Sequence, residues 1–555
     1  MKRKREKIKV GWRRTAVCAG SGALGAACFY VPDAAFLLWI LPVPALALLF
    51  AEGEGSGRDS RIRVIKLVAA FTLPFFFCSY LVGFTIDVYF PRPLMLLLDL
   101  ALILVATLVQ GLPQMVALAV GVRLKLPAPV RAAAVALLWT VAEWLTTIGP
   151  FAFPVRLFAV SQWKFVAAIK TSSLFGQLFI SFLMVFFAAL LALSYNEWRK
   201  DALKRRPAAA LLIAACAVFV INIAAGSIAT RNFADSGDGL QGTGATAPEL
   251  SESAGRTMRI AAVQHNQPIT DDDRQRFERA CEQARSILES GDYDLLVLPE
   301  STAQFVRSDK YMQARLSDLA KTFGTDIITG GAHRVSGEPA GEQTSQTGAG
   351  GEGSGLVNLG KARKDGVLLE NAVHLFTRDG GMSAYYYAKQ QLVPFFENGN
   401  IQKFSFLSGD ERGVFETSSG RVGAIVCFES VLQQTVRDTV LSGAEVIVVP
   451  SNDAYLGEEI RRMHLSQAVF RALETDRAVV QVATNGITAA AYPDGSLVSV
   501  PMNEQTMLTA VVPVSGSETL YVKYGNLWIL VCGALLALYI ALSHLRLRRK
   551  TLLAA

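Results

Sequence analysis

Apolar stretches come in series in this chain: Thr15–Val31, Ala34–Ala51, Val64–Asp87, Leu94–Val122, Ala132–Gly149, Phe165–Tyr195 and Ala208–Ile228, then one more at Leu527–Leu545. Each is near or above the roughly 20 residues an α-helix needs to cross a bilayer, the longer ones with tilt or interfacial ends. Hydrocarbon offers no water to backbone N–H and C=O groups, so such runs fold as membrane-crossing helices. The connecting loops alternate in charge. The N-terminal MKRKREKIKVGWRR, Glu52–Arg63, Arg123–Arg131 and Asn196–Pro207 are rich in Lys and Arg, whereas Pro32–Asp33, Val88–Pro93 and Pro150–Trp163 carry almost none. Basic loops stay in the cytoplasm. Seven crossings then put everything after Ile228 outside it, and Leu527–Leu545 returns the chain to a basic end, RLRRK at Arg546–Lys550. No small-residue cleavage site closes the first apolar stretch, so it reads as an uncleaved span rather than a signal peptide. The formal charge of +7 is accounted for by these blocks beside apolar runs. A nucleic-acid binder would spread it along one face.

The domain boundaries follow: a membrane domain over 1–228, a Gly/Ser/Thr-rich linker over 229–256, a soluble domain over 257–523, and a final span with its basic tail over 524–555. Strand and helix patterns alternate in the soluble domain, which argues a layered α/β fold. Strands are expected at Arg259–Gln264, Leu295–Glu300, Asp326–Gly330, Glu370–Thr377, Met382–Tyr387, Glu445–Val449, Ala478–Thr484 and Ile487–Tyr492. Helices are expected from Thr270 and its following acids to about Glu289, and at Asp309–Phe323, Val431–Ser442 and Glu458–Thr475. Ser336–Gly355 is a low-complexity insertion with almost nothing to bury and is expected to be disordered.

Three stretches carry chemistry. Arg421–Glu429, RVGAIVCFE, reads as a short buried strand delivering Cys427 at its end. LLVLPE at Leu295–Glu300 is a second buried strand ending in a carboxylate, and YYYAKQQLVPFFE at Tyr385–Glu397 carries Lys389. A lone cysteine is most often buried and inert. A carboxylate, an amine and a thiol together are the parts of acyl transfer: a base, an oxyanion stabiliser and a nucleophile. Glu143, inside an apolar stretch, is expected to pair with Arg156 or a backbone donor. His464 reads as a hydrogen-bonded structural histidine. No His/Cys/Asp/Glu set has metal-ligand spacing and no Gly-rich phosphate loop follows a strand, so neither metal nor cofactor is expected. Cys281 and Cys427 are the only cysteines between Ile228 and the last span. A disulfide between them is disfavoured, because Cys281 falls on the apolar face of a helix and Cys427 would lose its chemistry.

With Glu300 in LPES, Lys389 in YAKQQLVPF and Cys427 in IVCFES, the soluble domain resembles the nitrilase-like carbon–nitrogen hydrolases and their Glu–Lys–Cys triad. Over nearly the whole chain the resemblance is to apolipoprotein N-acyltransferases. Glu143 followed by Pro150-Phe151 and Ser161-Gln162 is similar to the loop after that family's fifth span. LVPFFE at Leu392–Glu397 is similar to LVPFGE, CFES at Cys427–Ser430 to CYE, and SNDAYLG at Ser451–Gly457 to SNDAWFG. Arg471–Glu474 and Ala483–Gly486 match its RALE and ATNNG-like stretches. The resemblance implies a multi-pass α-helical membrane domain joined to an αββα sandwich in a bacterial inner membrane, with the catalytic domain on the periplasmic side. It implies transfer of a fatty acyl chain from a phospholipid to the N-terminal amine of a diacylglyceryl-modified lipoprotein. Glu300 would be the general base, Lys389 the oxyanion stabiliser and Cys427 the nucleophile, with Glu397 and Glu429 supporting them. The sequence departs from the family at Phe396, Phe428, HNQPITDDD over His265–Asp273, and the insertion. A membrane-anchored amidase with the same triad is the alternative, although a hydrolase of soluble substrates needs one anchor rather than many. A transporter or receptor with a sensor domain needs no reactive cysteine.

Overall fold

The computed structural model describes residues 2–81, 92–149, 152–200, 205–229, 255–267, 273–335, 368–394, 396–397, 406–454 and 456–554. The expected helix start at 270–272, the insertion at 336–355 and most of the linker lie outside them. The chain divides into two compact units. The first comprises Met1–Thr147, Pro154–Thr230 and Thr519–Ala555, and the second Ile148–Phe153 and Arg231–Glu518.

Among the described residues of the first unit, seven helices are long and apolar enough to cross a membrane: Pro32–Gly53, Arg58–Leu81, Leu96–Gly121, Ala128–Leu145, Gln177–Lys200, Arg205–Ala229 and Leu527–Arg546. The stretch expected as a first span belongs to a helix, Lys2–Ala27, whose first half is strongly basic. It packs along Arg58–Leu81. Gly22 permits this, since a Cβ there would stand 2.1 Å from the Phe71 carbonyl oxygen. Small residues let helix backbones approach where lipid supplies no hydrophobic drive. The expected span Phe165–Tyr195 is broken: Val166–Ile169 and Ser172–Phe175 are single turns, and the long helix starts at Gln177, just after Gly176 in a left-handed conformation. Glu143 is buried and accepts hydrogen bonds from Trp139 Nε1 (3.0 Å) and the Phe158 amide (2.9 Å), so the backbone donor is its partner. Arg156 instead lies over the rings of Phe29, Tyr30 and Tyr80. The unit takes up the chain again at Thr519 rather than 524, because Tyr521 and Val522 are buried and the Tyr521 ring sits against Gly176.

The second unit holds thirteen strands among its described residues: β1 (Thr257–Gln264), β2 (Leu295–Val297), β3 (Asp326–Val335), β4 (Leu368–Phe376), β5 (Met382–Ala388), β6 (Phe406–Leu407), β7 (Val414–Thr417), β8 (Gly420–Ala424), β9 (Val446–Ser451), β10 (Val479–Ala483), β11 (Ala489–Ala491), β12 (Leu497–Ser499) and β13 (Thr506–Pro513). One sheet runs β13-β1-β2-β3-β4-β5 with β6 beside β4, and the other runs β12-β11-β10-β9-β8-β7. β1, β2 and β3 are mutually parallel, as are β8, β9 and β10. Strands buried on both faces carry apolar residues at successive positions. Ile260, Ala262, Leu295, Val297, Val446, Val448, Val480 and Val482 meet between the sheets. Ala261, Val263, Leu296 and Ile327 face the other way, onto the helices Asp273–Leu288 and Lys310–Phe323 through Phe277, Ala284, Leu316 and Leu319. The helices Gln433–Leu441 and Glu458–Thr475 pack on β8 and β10 of the second sheet. Gly423 lets the first of them close in, because a Cβ there would meet Thr439, Ala444 and Ile447 at 2.7 Å. Helices thus cover both outer faces of two packed sheets, an αββα sandwich.

Candidate active site

The parallel strands of both sheets deliver their first polar residues to one place, as α/β sheets do at the carboxyl ends of their strands. Glu300 follows β2. It is 3% exposed, and Ser301 after it turns through φ +63°. Gly330 on the neighbouring strand makes room, since a Cβ there would lie 2.9 Å from the Glu300 Cα. Oε1 of Glu300 accepts from Asn371 Nδ2 at 2.6 Å, and Oε2 accepts from the Asn452 amide at 2.7 Å. Burial pushes the carboxyl above its ordinary pKa, while Lys389 pulls the other way.

Lys389 follows β5 and is wholly buried. Its Nζ donates to Glu397 Oε1 at 2.9 Å. Burial alone would lower the pKa of the ammonium. The charges of Glu397, Glu300 and Cys427 outweigh that penalty and hold Lys389 above its ordinary value. Glu397 is fixed in turn: its Oε1 also accepts from Asn371 Nδ2 at 3.3 Å, and its Oε2 from the Val393 amide at 2.7 Å. One amide therefore bridges both carboxylates.

Cys427 departs from the expected form. The strand stops at Ala424, and Cys427 opens a single 3-10 turn, Cys427–Val431, with φ +49°. Left-handed backbone costs a non-glycine residue about 1–2 kcal/mol and needs support. Glu429 supplies it. Its Oε2 accepts from the Val426 amide at 2.7 Å, and its Oε1 from Tyr387 Oη at 2.8 Å and the Gln390 and Gln391 amides at 2.8 and 3.0 Å. The carboxylate thus ties the Cys427 turn to the segment just after Lys389. Burial, then the charge of Glu300, pushes the Cys427 thiol well above its ordinary pKa, and Lys389 opposes them. Cys427 and Cys281 are both free, and Cys281 is buried in the helix-facing cluster of the first sheet.

Two groups at the site were not evident in the sequence. Asn371 is a polar residue inside an apolar strand. Asp453 and His464 form a buried pair: His464 Nδ1 lies 3.1 and 3.3 Å from the two Asp453 oxygens, and Nε2 lies 3.0 Å from the Cys427 carbonyl oxygen and 2.9 Å from Ser430 Oγ. His464 is hydrogen-bonded as expected, and one of its partners is the Cys427 carbonyl. Asp453 Oδ1 stands 4.0 Å from Cys427 Sγ. Cys427, Asp453 and His464 place ligand-type atoms within 4.8 Å of one another. Phe428, the residue that replaces a family tyrosine, stacks on Phe153 at 6.0 Å.

Residues 259–520 match the carbon-nitrogen hydrolase family model, and residues 21–190 match the apolipoprotein N-acyltransferase N-terminal domain. The apolipoprotein N-acyltransferase of Geobacter metallireducens is 28% identical over 48% of this chain and 49% of its own length. That of Shewanella oneidensis is 26% identical over 72% of this chain and 71% of its own. The chain thus spans about half of the first relative and over two thirds of the second. A carbon-nitrogen hydrolase from Helicobacter pylori covers 49% of this chain and 94% of its own, at 17% identity and a TM-score of 0.36. One model takes the apolar N-terminal region and the other the sandwich, in this order on one chain, and the chain belongs to the apolipoprotein N-acyltransferase family within the carbon–nitrogen hydrolases.

Proposed function

We propose that the chain moves a fatty acyl group from a membrane phospholipid to the N-terminal amine of an S-diacylglyceryl-cysteine lipoprotein, through a thioester on Cys427. The observation that carries this is the buried set of Glu300, Lys389 and Cys427, in which the charges of Glu300 and Lys389 both act on the Cys427 thiol. Glu300 takes the Cys427 proton. The thiolate attacks the phospholipid ester carbonyl, and Lys389 faces the oxyanion that forms. The tetrahedral intermediate collapses by breaking the ester C–O bond, and Glu300 returns its proton to the departing lysophospholipid. The lipoprotein amine then attacks the thioester. Glu300 takes the amine proton and passes it to the leaving Cys427 sulfur, which closes the cycle.

The membrane unit has a physical reason. Pulling an acyl chain out of a bilayer costs about 0.8 kcal/mol per CH₂. An enzyme seated among spanning helices leaves the chain in apolar surroundings and brings only the ester to the thiol. In this reading the protein sits in the inner membrane of a bacterial cell with its sandwich on the periplasmic side.

The test is intact-protein mass after incubation with phospholipid and no acceptor. Wild type gains one acyl group that hydroxylamine removes, whereas Cys427→Ala and Glu300→Gln gain none. Cys281→Ala behaves as wild type. An acyl adduct on Cys427→Ala would sink the assignment, and spontaneous loss of the adduct to water faster than to added amine would favour the amidase.

A further inference from the structure

The clamp on His464 carries a consequence for the nucleophile. Among the described residues, Nδ1 faces only the Asp453 carboxylate. Nε2 faces the Cys427 carbonyl oxygen, which can only accept. Its other neighbour, Ser430 Oγ, donates its single proton to that same carbonyl at 3.0 Å and so presents a lone pair to the ring. Every partner of the imidazole among the described residues is an acceptor, so each ring nitrogen has a proton to give.

We propose that His464 stands as an imidazolium clamped between Asp453 and the Cys427 carbonyl, where it is the second cation of the site and a positioning residue for the nucleophile. This rests on the reading of Cys427 as the nucleophile and adds to it. The electrostatics need such a group. Glu300, Asp453 and Glu397 all make the thiol harder to ionise, and Lys389 is the cation that opposes them. Asp453 is wholly buried beside the sulfur, and a buried charge left without a partner is costly. Arg461 reaches its field from the first turn of the same helix, but its guanidinium bonds to the Leu456 and Asn485 carbonyls. Among the described residues, His464 is the basic group in contact with Asp453. Gly486 keeps the pair close, since a Cβ there would fall 2.3 Å from Asp453 Oδ2. Burial would drive the proton off His464, but the charge and hydrogen bond of Asp453 and the Cys427 carbonyl outweigh it, and the imidazole is held above its ordinary value. The backbone follows the same logic. Cys427 is left-handed at φ +49°, and its carbonyl is pinned by His464 and Ser430 together. During attack the Cys427 proton passes to Glu300, and His464 keeps both of its own.

Two measurements test this. In full-length wild type carrying ¹⁵N-histidine in nanodiscs, one of the five histidines, assigned by its loss in His464→Gln, shows two protonated ring nitrogens at pH 7.5. A lone-pair-bearing nitrogen on His464 at that pH overturns the proposal. The second measurement is the pH profile of Cys427 alkylation by iodoacetamide, set by Glu300, Lys389, Glu397, Asp453 and His464 around the thiol and Arg461 beyond Asp453. His464→Gln keeps an amide donor but loses the charge. It is expected to move the profile up by about one unit and to lower kcat about tenfold, with KM for phospholipid within twofold. Asp453→Asn is expected to shift the profile and abolish the doubly protonated signal. Profiles that overlay wild type for both variants sink the inference. Should His464→Gln fail to fold, Asp453→Asn assigns the signal and the wild-type spectrum decides. The mass experiment separates this from the underlying reading: a wild-type thioester with unmoved profiles removes only the role of His464, and an adduct on Cys427→Ala removes both.

Discussion

Asn371 Nδ2 lies 2.6 Å from Glu300 Oε1 and is the amide through which Glu300 meets Glu397, 3.3 Å away on the other side. Two buried carboxylates sharing a donor repel less than two left bare, and Lys389 lies against the same pair. Asn371→Ala removes that donor and leaves Glu300 more desolvated. The expected outcome is a further rise in the Glu300 pKa, visible as an acylation limb moved to higher pH, and a loss of thioester formation of about 10- to 100-fold. Asn371→Asp adds a third carboxylate and should be worse. Unchanged single-turnover acylation in Asn371→Ala would show that the bridge is dispensable.

The RALE stretch supports the fold from beneath rather than touching the site. Arg471 Nε and Glu474 Oε2 are 2.9 Å apart, both side chains fully buried on the helix Glu458–Thr475, and Gln433 Nε2 donates to Glu474 Oε1 at 2.9 Å. Removing one partner takes a buried counter-charge from the other. Glu474→Ala is expected to cost about 3–5 kcal/mol, whereas Arg471→Met with Glu474→Leu costs markedly less. Thermal unfolding in detergent measures both, and a single variant milder than the double would contradict the pairing.

His265 and His374 set a sign for acid stability. Burial, then the charge of Arg276, lowers His265 to about 4, and burial, then Arg307 and His333, lowers His374 to about 3. Both lie below the unfolded value of about 6.5. The unfolded chain therefore binds protons below pH 6.5 that the folded chain refuses until pH 4 or 3, and stability falls as pH falls through that window. Between pH 7 and 5 each contributes a loss of about 2 kcal/mol. His374→Gln should flatten the dependence of Tm on pH relative to wild type. A steeper dependence in the variant would reverse the sign.

Glu300 and Cys427 drew notice in the sequence because of where they stand. Glu300 and Cys427 each come within a few residues of a strand buried on both faces, so an unbroken apolar run ends in a reactive side chain. Asn371 gave no such signal. It lies within the strand LLENAVHLF, and its meaning depends on the β3–β4 register, which opposes it to Ala332 and places it beside residues far away in sequence. His464 needed the return of a whole helix onto the Cys427 turn. Nothing in RVGAIVCFE marks the break after Ala424, because the apolar pattern continues through a backbone that has already left the sheet. β13 went unread for a related reason. Its TMLTAVVP alternates weakly, and only its antiparallel pairing with β1, from Thr257 opposite Pro513 to Gln264 opposite Thr506, makes it a strand.

Glu52 and Glu54 gather the basic segments of the membrane unit at one end. Arg14 and Arg63 both pair with Glu52, the latter at 2.8 Å, and Arg131 and Lys200 reach Glu54 at 3.5 and 2.9 Å. These residues come from the N-terminus and from each of the loops that alternate in the sequence as Lys/Arg-rich. They therefore share a side, and positively charged loops remain in the cytoplasm. The helix Arg205–Ala229 starts with Arg205-Arg206. A phosphatase reporter fused after Ile228 is expected to be active outside the cytoplasm, and a fluorescent reporter fused after Lys550 to fold inside it. Converting Arg61, Arg63 and Lys66 together to Gln weakens the retention signal of one loop and should raise the misoriented fraction without inverting the whole population, because the other basic segments still vote for the same side. Phosphatase activity at Lys550 in the unmodified chain would overturn the orientation, and with it a periplasmic acyl acceptor for Cys427.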